Sequence, residues 1–123
     1  MEQGVSDQVN QFLRSLEAFD FSGAQAMCTG AATVRQNDGK GEQPIDESLD
    51  QFKSFVANVD SLRYDVIRQF QSQDEVFQQH VLHLVMSDGS RSTVHAAVYF
   101  RFEGGLIDGI EEYVYAEPAG TTL

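Results

Sequence analysis

This chain has one cysteine, Cys28, and only eight lysines and arginines against nineteen aspartates and glutamates. A single thiol excludes an intrachain disulfide and any cysteine-rich metal site, and it suits a reducing cytoplasm. The net charge of -11 argues against nucleic acid as a partner, because affinity for a phosphate backbone comes largely from basic side chains releasing counterions. It argues equally against an anionic membrane surface. No apolar run is long enough to span a bilayer, and the polar start Met1-Glu2-Gln3-Gly4 does not read as a signal peptide. No internal repeat, linker or low-complexity tail interrupts the sequence. With 123 residues the expectation is one domain, residues 1–123, able to bury a core without staples.

What is present is periodicity. Val5, Val9, Phe12, Leu13, Leu16 and Phe19 recur at helical spacing, the stripe of a helix with one face on a core. Asp20-Phe21-Ser22-Gly23 breaks that helix, and Ser22 is a candidate N-cap for a short second one ending near Met27. A brief strand is expected over Ala32 to Asn37, then a loop of turn formers from Asp38 to Pro44. Ile45, Leu49, Phe52, Phe55, Val56 and Val59 mark a third helix. From Leu62 the period switches to two. A long strand to about Gln71 precedes three strands joined by Asp88-Gly89 and Gly104-Gly105, both strong hairpin signals. Helices first and an antiparallel meander last predict an α+β domain, with the helices on one face of the sheet.

Taking Asp88-Gly89 as a two-residue loop pairs Ser87 with Ser90, His83 with Val94, Val81 with Ala96, Gln79 with Val98 and Phe77 with Phe100. Paired residues point to one side. The inner face then carries Phe77, Val81, Val85, Val94, Val98 and Phe100, with Gln79 and His83 as its large polar groups. The other face holds Leu82, Leu84, His95 and Tyr99, too apolar for a solvated surface, and is expected to form a homodimer interface. Ile107 and Ile110 cannot both face inward on a regular strand, so a β-bulge is expected at Gly109. With it, Ile110, Glu112 and Val114 turn inward and Glu112 stands opposite Val98.

A carboxyl group in that setting has a raised pKa and suits general acid or base work, which makes Glu112 the first catalytic candidate. His83 is the second, since imidazole titrates in a useful range. Asn37, Gln79, Val81, Val98, Tyr64 and Val114 are the expected substrate contacts. Each has a plainer reading: Glu112 paired by Arg35 or a tyrosine, His83 a satisfied core histidine, Tyr64 a packing residue. His80 and His83, three apart on a strand, lie on opposite faces, so no metal site is read there. Nothing in the sequence binds a dinucleotide or a metal, so no cofactor is expected.

The element order, closing on the Gly-x-Ile-x-x-Ile-x-Glu-Tyr phrase from Gly105 to Tyr113, resembles the nuclear transport factor 2-like superfamily, including SnoaL-like polyketide cyclases, limonene-epoxide hydrolase and ketosteroid isomerase. The resemblance implies a cone-shaped fold with an apolar pocket, dimerisation, and chemistry ranging from isomerisation to none. The acid of the epoxide hydrolases matches Glu112. Their Arg-x-Asp pair falls at Gln79 and Val81, and of their Tyr-x-Asn, placed at Arg35 and Asn37, only the asparagine is kept. The isomerases' protonated aspartate falls at Val98, and the terminal aspartate of SnoaL-like proteins at Tyr115. Two expectations follow. One is a cofactor-independent isomerase, cyclase or hydratase acting on a small hydrophobic molecule. The other is a non-catalytic dimeric module that binds a ligand or a partner.

Overall fold

The computed structural model describes residues 4–118. Three helices, α1 (Val5–Glu17), α2 (Phe21–Ala26) and α3 (Ile45–Phe55), pack on one six-stranded sheet. The strands are β1 (Cys28–Gln36), β2 (Glu42–Pro44), β3 (Val59–Ser72), β4 (Glu75–Met86), β5 (Arg91–Glu103) and β6 (Leu106–Ala116), and their order is β2-β1-β6-β5-β4-β3. All neighbours run antiparallel except β1 and β6, which are parallel. The fold is α+β, as the order of periodicities predicts.

The stripe on α1 buries Val9, Phe12, Leu13 and Leu16. Phe12 meets Phe100 of β5 edge-on, with ring centroids 6.3 Å apart. α2 is capped by Asp20 rather than by Ser22: the Gly23 N–H donates to Asp20 Oδ1 at 2.9 Å. Phe19, in the left-handed region at φ 57°, turns the chain so that the helix starts one residue before Ser22. α3 ends at Phe55 and tightens into a 3₁₀ turn over Val56–Asn58 before β3.

The two hairpin signals resolve differently. Gly104 and Gly105 both have positive φ, 59° and 82°, and Glu103 pairs with Leu106, a two-residue loop as expected. At the other turn only Gly89 has positive φ, at 88°. Asp88 stays in ordinary backbone space because its carboxylate accepts from the Ser90 N–H at 2.9 Å and the Ser90 hydroxyl at 2.6 Å. The loop is therefore three residues, Ser87 to Gly89, closed by the Met86 N–H donating to Ser90 O at 2.8 Å.

That extra residue moves the pairing of β4 by one. His83 pairs with Thr93, Val81 with His95, Gln79 with Ala97 and Gln78 with Val98. A one-residue shift turns every side chain of a strand to the other face. Val76, Gln78, His80, Leu82 and Leu84 are accordingly buried inside, while Phe77, Gln79, Val81, His83 and Val85 face outward with their β5 partners. The expected inner face is right for β5 and β6 and reversed for β4. Leu82 and Leu84 leave the expected dimer face for the core, where Leu84 is 2% exposed.

Along β5 and β6 the pairing runs regularly from Val94 opposite Ala116 to Arg101 opposite Gly109, then skips to Phe102 opposite Ile107. The unpaired residue is Asp108, so the bulge sits immediately before Gly109. Thr29 Oγ1 donates to Asp108 at 2.7 Å and Arg101 contacts it at 3.3 Å, which anchors the bulge. Ile107 and Ile110 are both buried, and Glu112 stands opposite Val98.

Candidate functional site

Between the helices and the concave side of the sheet lies a cavity of about 440 Å³. Its floor is β5, through Val94, Ala96, Val98 and Phe100. Leu13 and Leu16 of α1 and Leu49 and Phe52 of α3 close the other side. Ala96 is the smallest side chain of this floor, and the space above it separates the strands that bring polar groups. Those groups are few: Gln36 from β1, Tyr64 from β3, His80 from β4 and Glu112 from β6, with Ser48 and Gln51 of α3 on the helical side. An apolar chamber with a few convergent polar groups is the usual form of a small-molecule site.

Glu112 is the acid of this chamber. Burial among Val98, Ile110 and Val114 raises its proton affinity above the ordinary glutamate value, and the amide of Gln36, 3.4 Å away, offsets only part of that. No lysine or arginine among the described residues pairs with it. Arg35, the partner considered from sequence, points outward and meets Glu42 at 3.4 Å instead. Alternation along β1 is the reason: Val34 and Gln36 line the cavity, so Arg35 and Asn37 face away. The Asn37 side chain bonds the backbone of Val114 at 3.0 and 3.2 Å, extending the β1–β6 ladder. It holds the strands together and lies outside the cavity.

His83 and Gln79, expected to line the pocket, are on the outer face. Gln79 takes a hydrogen bond from the Arg68 guanidinium there. Val81 is outward too, among the residues around a shallower groove with Gln79, Asn37 and His95. Tyr64, Val98 and Val114 do line the main cavity. On this strand Gln78 and His80, not Gln79 and Val81, point inward.

His80 and Gln78 are the groups the two-residue loop assumption hides. His80 is 5% exposed and Gln78 is wholly buried. Burial lowers the imidazole pKa from 6.5 to about 4, so the ring is neutral near pH 7. Tyr64 packs edge-on against it, with centroids 5.0 Å apart and the planes at 82°. The Tyr64 phenol is itself pushed well above its usual pKa, chiefly by burial and secondarily by the charges of Glu112 and Glu17. Ser90 supplies both local donors to the Asp88 carboxylate, and that contact favours the three-residue loop.

Among the described residues no three His, Cys, Asp or Glu side chains come close enough to hold a metal ion. Cys28 is buried beside α2, its thiol pushed up to about 12 by burial, and it is not a nucleophile there. No described helix is long and apolar enough to cross a membrane.

The cone of helices and curved sheet recurs in solved structures. Δ5-3-ketosteroid isomerase from Mycobacterium sp. superposes with a TM-score of 0.77 at 19% identity, covering 92% of this chain and 98% of that one. AclR from Streptomyces galilaeus gives 0.80 at 13% identity, covering 89% and 74%. An LEH-like epoxide hydrolase from M. tuberculosis gives 0.74 at 15% identity, covering 89% and 80%. Identities this low speak to the fold alone. No curated protein sequence matches the chain. The SnoaL-like domain family does match, over residues 9–110, a span that runs from the first buried residue of α1 to the Ile110 beside Glu112. On that match, with the fold to support it, the chain belongs to the SnoaL-like domain family of the nuclear transport factor 2-like superfamily.

Proposed function

We propose that this protein takes a small hydrophobic molecule into its cavity and carries out cofactor-independent acid–base chemistry on it, of the isomerase, cyclase or hydratase kind, with Glu112 as the proton carrier. The observation that supports this is the Glu112 carboxyl itself: inside an apolar chamber, without a cationic partner among the described residues, and with its proton affinity raised by burial. A carboxyl group whose proton affinity is raised in this way is better matched to acid–base work than one on the surface. Solved relatives described as an isomerase and an epoxide hydrolase fit the same broad chemistry. The test is turnover of a panel of enones, lactones and epoxides by wild type and Glu112→Gln. Loss of about 10²-fold or more in turnover is expected for removal of an acid–base group. Unchanged turnover removes Glu112 from the mechanism.

A non-catalytic ligand- or partner-binding module is the second reading. It is favoured by Val98, which stands where the steroid isomerases carry an oxyanion donor. Either way we propose a homodimer, joined through the outer sheet face around His95 and Tyr99. Phe70, Phe77, Tyr113 and Tyr115 are 43–63% exposed, and all four point outward, from β3, β4 and β6. A cytoplasmic setting accompanies the proposal, since it keeps the lone thiol reduced.

A further inference from the structure

His80 is a buried ionisable group of the cavity that the acid–base reading leaves without a task. It ends a line of side chains drawn from α1, β3 and β4. The Gln69 amide nitrogen donates to Asn10 Oδ1 at 3.0 Å and to Gln78 Oε1 at 2.8 Å. With its oxygen held in this way, Gln78 turns its NH₂ toward the imidazole, where Nε2 lies 2.8 Å from His80 Nδ1. Two N–H groups cannot bond to each other. Nδ1 is therefore the acceptor, and the ring proton sits on Nε2.

Every buried side-chain nitrogen and oxygen among the described residues has a hydrogen-bond partner. His80 Nε2 bonds to no described residue, so it is reached from open space; His80 borders both the cavity and the outer groove, and its strand position turns the ring toward the cavity. Tyr64 fixes the plane of the ring from the β3 side. His80 and Glu112 stand on the strands flanking β5, two strand spacings apart and offset by two residues, or about 12 Å between Cα atoms. Ala96 and Val98 lie between them.

We propose that His80 is a neutral hydrogen-bond donor held for the ligand, its Nε2–H oriented by Gln78 and Gln69, and that the cavity thereby selects small apolar molecules bearing an uncharged acceptor oxygen. A ketone, lactone or ether oxygen satisfies the donor. A hydrocarbon strands it, and a stranded buried donor is costly. A carboxylate meets Glu112 in the same chamber and finds no cation to neutralise it. The proposal rests on the reading of the cavity as a ligand site, but not on Glu112 being the proton carrier.

The first measurement needs no ligand. Imidazole ¹⁵N shifts of the full chain at pH 7 are expected to show Nε2 protonated and Nδ1 bare. A protonated Nδ1 overturns the assignment. Gln78→Glu replaces the donor by an acceptor and is expected to move the proton to Nδ1, a change that a merely space-filling Gln78 would not cause. The second measurement compares 1-indanone with indane by NMR titration. The ketone is expected to bind about five- to tenfold tighter, the contribution of one neutral hydrogen bond. His80→Phe should abolish that preference and keep indane binding. If that variant does not fold, loss of the preference in Gln78→Glu serves instead. Equal affinity of wild type for the two probes overturns the proposal. Failure of both to bind overturns it together with the cavity reading, whereas full turnover by Glu112→Gln overturns only the proposed chemistry.

Discussion

Gln78 of β4 faces Val98 of β5, and that pairing places His80 inside the cone and His83 outside it. The neighbouring residue, Gln79, would have taken the same place had the hairpin loop been one residue shorter.

The loop is the first point to test. Gly89 has φ 88°, a region in which a Cβ costs about 1–2 kcal/mol. Gly89→Ala is expected to lower stability by that amount, read from the urea midpoint. No atom stands within 4 Å of the position a Cβ would take, so the loss is purely conformational. An unchanged midpoint would contradict the loop geometry.

Glu112 makes stability depend on pH. Its folded pKa lies above the ordinary 4.5, so folding favours the protonated form. That contribution is complete below pH 4.5 and is lost as pH rises through the folded value. Glu112→Gln is therefore expected to be more stable than wild type at pH 8, with the gap closing below pH 4.5. Urea midpoints across that range decide it, and a gap independent of pH would exclude a buried carboxyl group.

His80 works in the opposite sense. Its folded pKa, lowered from 6.5 to about 4 by burial, makes the neutral ring the folded form. The contribution is present above pH 6.5 and is lost as pH falls toward 4, by roughly 3 kcal/mol for a shift of this size. Because the raised proton affinity of Glu112 also makes stability depend on pH, the comparison is best made in the Glu112→Gln background. There, stability should fall steeply with acid when His80 is present and much less in Glu112→Gln/His80→Gln.

The outer face gives a test of assembly. Sedimentation of Phe77→Asp and Tyr113→Asp should show the mass falling from dimer to monomer, with circular dichroism unchanged, because both side chains are exposed within the chain. Leu84→Asp should instead unfold the protein, since a carboxylate there would be buried without a partner. A wild type that sediments as a monomer would remove the dimer.

Much of the fold was legible from local pattern. Val9, Phe12, Leu13 and Leu16 declare their helix by spacing alone, and Gly104-Gly105 declares its turn because two consecutive glycines relieve two positive φ angles. The bulge that turns Glu112 inward was legible as well: Ile107 and Ile110 need burial together, and regular alternation forbids it. The second hairpin was not. Both faces of β4 carry apolar residues, Val81 and Phe77 on one and Leu82 and Leu84 on the other, so burial preference does not choose between registers differing by one.

The sequence by itself determined the helices, the meander and the place of Glu112, since each follows from periodicity or from a steric demand of a few neighbouring residues, and its closing phrase carries the resemblance to SnoaL-like proteins. Only the tertiary structure decided that His80 and Gln78, not His83 and Gln79, share the cavity with that acid. The choice hangs on one loop residue, and it is settled by hydrogen bonds from Ser90 to Asp88 and from Gln69 to both Gln78 and Asn10, the last of which exists only once α1 packs on the sheet.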